Sequence, residues 1–178
     1  MRTFIIILFV VMCLAQLAVP GKMIADYERL ARTGTEYKFK TEPIDPADPF
    51  RGKYITLSFF ADHVHDTTDW SSGEVVNVVF KPDSAGFADV DRLMREEPDG
   101  PYLQTTITYV DSGYEVYFDL PFDRFYMEES KAQPAEDAYR QANRDTARTC
   151  YGLVHMGRGR AVITDVLIDG ASVTTIRN

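Results

Sequence analysis

From Phe4 to Val19 the chain runs FIIILFVVMCLAQLAV, sixteen residues without a charge, behind Met1, Arg2 and Thr3 and ahead of Pro20, Gly21 and Lys22. Its place at the N-terminus behind a positive residue makes this run a targeting element rather than a buried core helix. Sixteen helical residues cover only about 24 Å, short of a hydrocarbon core of about 30 Å. Continuation through Pro20 and Gly21 to Met23, Ile24 and Ala25 brings the length to about 33 Å, with Lys22 snorkelling to the interface. Cleavage after Gly21, with Val19 at the −3 position, is the alternative; the lack of an Ala-x-Ala site favours the retained anchor. Cys13 lies mid-segment and does not fit a lipoprotein site.

The pattern then changes twice. Met23, Ile24, Tyr27, Leu30 and Ala31 recur at helical spacing, which predicts an amphipathic stalk that Gly34 ends. Beyond it the pattern predicts strands: Tyr37 and Phe39 alternate with lysines, Tyr54, Leu57 and Phe59 sit within a strand, and Glu74 to Lys81 is a β-branched run. Pro43, Pro46 and Pro49 form an extended lead-in to Arg51 and Gly52. His63, His65 and Asp66 to Asp69 read as a polar loop, and Phe87 to Glu97 as a short helix. Leu103 to Val110 and Tyr114 to Leu120 form a hairpin across Asp111-Ser112-Gly113. A last helix is predicted over Pro134 to Thr149. Strands from Tyr151 to Met156 and Arg160 to Ile168 flank Gly157-Arg158-Gly159, and Asp169-Gly170 turns into Ala171 to Ile176.

Seven to nine short strands and no strand-helix-strand alternation give an α+β class, mainly antiparallel β, barrel- or sandwich-like, with two or three short helices behind a transmembrane helix. Residues 1–33 are read as anchor and stalk, and residues 34–178 as one strand-rich domain.

Charge narrows the partners. The part beyond Ala25 carries all 27 acidic residues and 17 of the 19 basic ones, a net charge of −10. The basic residues are scattered, as in Arg140, Arg144 and Arg148 on one helical face, so a nucleic-acid partner is not expected. With Cys13 in the apolar run, Cys150 stands alone and the domain has no internal disulfide. The positive-inside bias is nearly balanced, and the signal-like order of the N-terminus places the C-terminal part outside the cytoplasm.

The stretch DPADPFRGKYITLSF, Asp45 to Phe59, resembles the signature of a family of bacterial membrane proteins named after the motif GDYXXLXY. Gly52, Tyr54 and Leu57 match; Lys53 stands in place of the Asp and Phe59 in place of the final Tyr. Two later stretches are similar to the family as well: DLPFDRFYMEE, Asp119 to Glu129, and GRAVITDVLIDG, Gly159 to Gly170. The resemblance implies a membrane-associated protein and brings no catalytic residue with it.

Read physically, the motif needs no chemistry: Gly52 permits a tight turn or bulge before a strand with alternating faces. A functional version has Arg51, Lys53 and Tyr54 marking a groove for an anionic group, with Gly52, Leu57, Phe59 and Glu128 completing the candidate set. His63 and His65 share a face if extended, with Asp62, Asp66 and Asp69 as oxygen donors, but a solvated loop is the better reading, and no metal or cofactor is expected. Carboxylates at Glu128, Glu129, Asp119 and Asp123, or a Cys150 nucleophile near His155, offer an envelope hydrolase as the alternative. No phosphate loop, nucleophile elbow or metalloprotease helix occurs. The reading is therefore a single-pass protein of the inner (cytoplasmic) membrane with an extracytoplasmic binding or assembly module. Its partners are the bilayer and a membrane protein.

Overall fold

In the computed structural model, which describes residues 2–43, 54–145 and 147–175, helix α1 (Arg2–Thr33) runs through Pro20 without a break. It is long and apolar enough to cross a membrane, with none of its apolar window buried by protein. Its last turns carry paired charges: Lys22 meets Asp26 at 2.6 Å, and Arg32 lies 3.5 Å from Glu28. The helix ends where the Gly34 amide donates to the Leu30 carbonyl at 2.8 Å.

Strand β1 (Thr35–Lys40) follows at once, and Phe39 enters the core while Lys38 and Lys40 point away. It pairs antiparallel with β9 (Cys150–Met156), which pairs in turn with β11 (Ala161–Ile168) and so reaches β12 (Ala171–Ser172). A second sheet has the order β3-β7-β6-β4-β5, comprising β3 (His63–His65), β4 (Val75–Pro82), β5 (Ala88–Met94), β6 (Tyr102–Val110) and β7 (Glu115–Phe118). The two-residue β10 (Arg158–Gly159), inside the β9–β11 connection, pairs parallel with β6 and ties the sheets together. A ribbon of β2 (Tyr54–Thr56) and β8 (Arg124–Tyr126) completes a nearly closed, barrel-like wall of twelve short strands among the described residues.

Four rings hold the wall together from inside. Phe39 lies 5.0 Å from Phe80, 5.0 Å from Phe122 and 5.8 Å from Phe59, and Phe59 lies 5.4 Å from Phe122, all edge-on. Valines 76, 78, 116, 154 and 166, with Leu103 and Ile107, fill the remaining interior.

Helix α2 (Glu129–Arg144) closes one side, burying Ala132, Ala135, Tyr139 and Ala142 at three- and four-residue spacing. This helix begins and ends five residues before the span predicted from Pro134. Its docked face includes Ala132, and the Glu128 carbonyl already receives the Lys131 and Ala132 amides. Thr41, buried on β1's extension, donates to the Cys150 carbonyl (3.0 Å) or to Asn143 Oδ1 (3.1 Å). Asn143 Nδ2 donates to the Glu42 carbonyl at 2.6 Å.

The helix expected over Phe87 to Glu97 is instead strand β5. Phe80 pairs with Val90 and Val79 with Arg92, so Asp91 is an extra, bulged residue. The bulge turns Val90 and Leu93 inward three positions apart, a helical spacing produced by a strand. The expected polar loop at His63 to His65 is strand β3, paired with β7.

Candidate functional site

The ribbon that carries the motif has one face in the core and one in solvent. Ile55 and Phe125, cross-strand partners, are buried, as are Leu57 and Phe59 further along the same alternation. Tyr54 pairs with Tyr126 and Thr56 with Arg124 on the outer face. The two tyrosine rings are 5.5 Å apart, and the Arg124 guanidinium lies 5.3 Å from the centre of the Tyr54 ring, a cation–π contact. Tyr126 and the neighbouring Asp123 both hold Arg124 firmly in its charged form.

Of the expected site residues, the fold therefore separates two kinds. Leu57 and Phe59 are packing groups; Phe59 sits between Phe39 and Phe122, its ring edge against Gly152. Tyr54 is a surface group in an aromatic and cationic cluster. Arg51, Gly52 and Lys53 lie outside the described residues. Glu128 stands at the start of α2, 3.6 Å from Lys131 and mostly exposed.

Two grooves open on either side of Pro121, and they carry opposite charge. One, of about 480 Å³, has Asp62, Asp119 and Asp123 along its rim over Ser58 and Leu120. Behind it, burial and the charge of Asp62 push the Glu42 carboxyl above its ordinary range. The other, of about 450 Å³, lies between the stalk and the barrel wall. Tyr27 of α1 forms one side, Phe122, Val162 and Ile163 contribute apolar lining, and Arg124, Tyr126 and Arg160 contribute polar lining. No carboxylate lines it among the described residues. In a chain with 27 acidic and 19 basic residues, such a groove is the better candidate for recognising an anionic group.

Of the catalytic alternatives, Cys150 and His155 do not converge, whereas Asp119 and Asp123 line one groove. Cys150 and His155 are five residues apart on one strand, so they face opposite sides: Cys150 is buried, and His155 faces out toward Glu36 at 3.9 Å. Burial pushes the Cys150 thiol up to about 11, far from a reactive thiolate. Asp123 lines the acidic groove, and Arg124 lies 3.7 Å from it. His63 and His65 do share a face, but His63 Nδ1 is 2.7 Å from Asp62 and its ring stacks 5.1 Å from Tyr117, while His65 is 3.5 Å from Glu115. Asp66 accepts the Thr68 amide and the Trp70 indole N–H, within its own loop. Among the described residues no group of three His, Cys, Asp or Glu is placed to hold a metal.

The pattern of the sequence does not single out Tyr27, Arg124, Tyr126 and Arg160 as a site. The alternation Arg124-Phe125-Tyr126 around a buried Phe is the available signal for two of them. Arg160 has none, since it reaches the groove only through the β10 crossover.

An N-terminal helix of membrane-crossing length continuous with a small barrel-like body defines a class of protein fitted to membrane anchoring. The chain belongs to the GDYXXLXY protein family, whose model matches residues 16–166. No curated protein and no solved structure matches the chain.

Proposed function

We propose that this protein is a single-pass protein of the inner membrane that holds its strand-rich domain, residues 34–178, on the extracytoplasmic side as a binding or assembly module. Its ligand is an anionic group on a membrane component, taken in the groove between stalk and barrel. The observation behind this reading is the carboxylate-free lining that joins Arg124, Tyr126 and Arg160 to apolar side chains, in an otherwise acidic protein. Tyr54 marks the adjoining end of the motif ribbon, with Leu57 and Phe59 anchoring it to the core and Glu128 at the start of α2, while Arg51 and Gly52 join the candidate set from the sequence alone.

Photocrosslinking in living cells tests the reading. A photoreactive residue at Tyr126 or Val162 of the full chain is expected to give a discrete adduct, and the same residue on the opposite wall at Thr108 to give none. The adduct is expected to vanish in Arg124→Gln/Arg160→Gln. Absence of any adduct, or one indifferent to both arginines, would overturn the binding reading. A reporter active only outside the cytoplasm, fused at Asn178, checks the orientation; an inactive fusion would reverse it. The intact mass of the membrane-extracted protein, expected to include residues 1–21, distinguishes anchor from cleaved signal.

A further inference from the structure

We infer that the anionic group is the phosphate of an anionic phospholipid in the same bilayer that α1 crosses, so that the groove is a headgroup site at the membrane surface. This inference rests on the binding reading above and specifies its ligand.

Depth is the first argument. Phe4 to Met23 is 20 residues, and at about 1.5 Å each it spans about 30 Å, one hydrocarbon core. Tyr27 follows four residues later, about 6 Å beyond that boundary, within a headgroup layer of roughly 5–8 Å per leaflet. A tyrosine on a membrane helix at that depth is a typical interfacial group, apolar in its ring and polar at its tip. Because Tyr27 forms one side of the groove, the groove opens at the level of lipid phosphates.

Chemistry is the second argument. Arg124 and Arg160 offer planar forks of N–H donors suited to phosphate oxygens, and the Tyr126 hydroxyl adds a further donor beside them. The apolar part of the lining, with Val162 on the stalk side of β11, suits the glycerol backbone and first methylenes, which a soluble anion lacks. Lys22 and Asp26 neutralise each other on the stalk, and Asp26 also stands close enough to act electrostatically on Arg160. The cationic edge is thus set by Arg124 and Arg160 and tempered by two carboxylates, Asp26 of the stalk beside Arg160 and Asp123, 3.7 Å from Arg124.

Geometry is the third. The stalk is fixed against the barrel by Leu30, which packs beside Gly34 and Gly157, with the Cβ of His155 also against Gly34. The groove between them is therefore already formed in the structure, with the stalk packed on the barrel beside it.

Native mass spectrometry of the full chain extracted from vesicles of phosphatidylcholine, or of phosphatidylcholine with phosphatidylglycerol, tests the inference. The expected result is several-fold greater retention of phosphatidylglycerol than of phosphatidylcholine, lost in Arg124→Gln/Arg160→Gln and partly kept in Arg124→Lys/Arg160→Lys. Circular dichroism of each variant confirms that both fold. Equal retention of the two lipids, or a preference unchanged by the glutamine pair, would overturn the inference. So would displacement of the lipid by millimolar inorganic phosphate, which would identify a site for a free anion. If the in-cell adduct proves to be a protein, the binding module stands and the lipid assignment falls; if no adduct forms, both fall.

Discussion

Leu30, near the end of α1, meets Gly157 in the β9–β10 connection so closely that a Cβ on Gly157 would stand 2.9 Å from Leu30 Cδ1. The side chain of Leu30 also closes on Gly34, where an added Cβ would lie 3.0 Å from the same atom. The stalk and the barrel are joined through a leucine that two glycines leave room for.

Gly157→Ala is therefore expected to disturb the junction, by about 1 kcal/mol or more, because the methyl must displace a packed side chain. The end of Leu30 can rotate, so the cost is bounded. In a Leu30→Ala background the same substitution is expected to cost clearly less, and a double-mutant cycle on thermal unfolding of the detergent-solubilised chain measures the difference. Equal costs in the two backgrounds would show that the contact does not carry the effect.

The second prediction concerns the motif's final aromatic position. Phe59 is 2% exposed and touches Phe39 and Phe122 edge-on, so Phe59→Ala is expected to cost about 3–5 kcal/mol. Tyr54→Ala, on the outer face of the same ribbon, removes the partly exposed contacts with Arg124 and the Tyr126 ring and is expected to cost about 1–2 kcal/mol. Denaturant midpoints of the two variants should differ accordingly; similar losses at both positions would contradict the division of the motif into a core half and a surface half.

The third lies at the α2 docking site. Thr41→Val keeps the shape and removes the hydroxyl that serves Asn143 and the Cys150 carbonyl; the carbonyl keeps the residue-41 amide, while Asn143 Oδ1 loses this donor. A loss of about 1–3 kcal/mol is expected. Hydrogen exchange should show it as faster opening of α2 relative to the β6–β7 hairpin. Uniform acceleration over the whole barrel would point to a general packing defect.

Local chemistry decides which of these elements are legible in the sequence. The hairpins at Asp111-Ser112-Gly113 and Asp169-Gly170 can be read because turn residues and alternation are properties of neighbouring positions. Strand β5 cannot, because the bulge at Asp91 shifts the phase so that Val90 and Leu93 imitate a helix turn. The α2 boundaries are misplaced when Pro134 is given more weight than a buried face that begins at Ala132. The candidate groove is illegible for a different reason: Tyr27, Arg124 and Arg160 are far apart in sequence, and the parallel β10–β6 pair that brings Arg160 alongside Gln104 and Tyr126 leaves no periodic trace. The motif points to Tyr54, on the same ribbon as that groove, while its Leu57 and Phe59 belong to the core.

The last prediction tests Cys150 as a nucleophile. Burial, with Asp169 nearby, raises its thiol to about 11, against an ordinary value of 9.0. In a Cys13→Ser chain, maleimide labelling at neutral pH is therefore expected to be slow in the folded protein and rapid only in denaturant. The sign of the pH effect on stability follows. Below pH 9 the thiol is protonated in both the folded and the unfolded chain, and its contribution is constant. Between about 9 and 11 the unfolded chain loses the proton first, so stability falls as pH rises. Cys150→Ala should flatten that fall. A thiol that labels quickly at neutral pH in the folded chain would restore the hydrolase alternative.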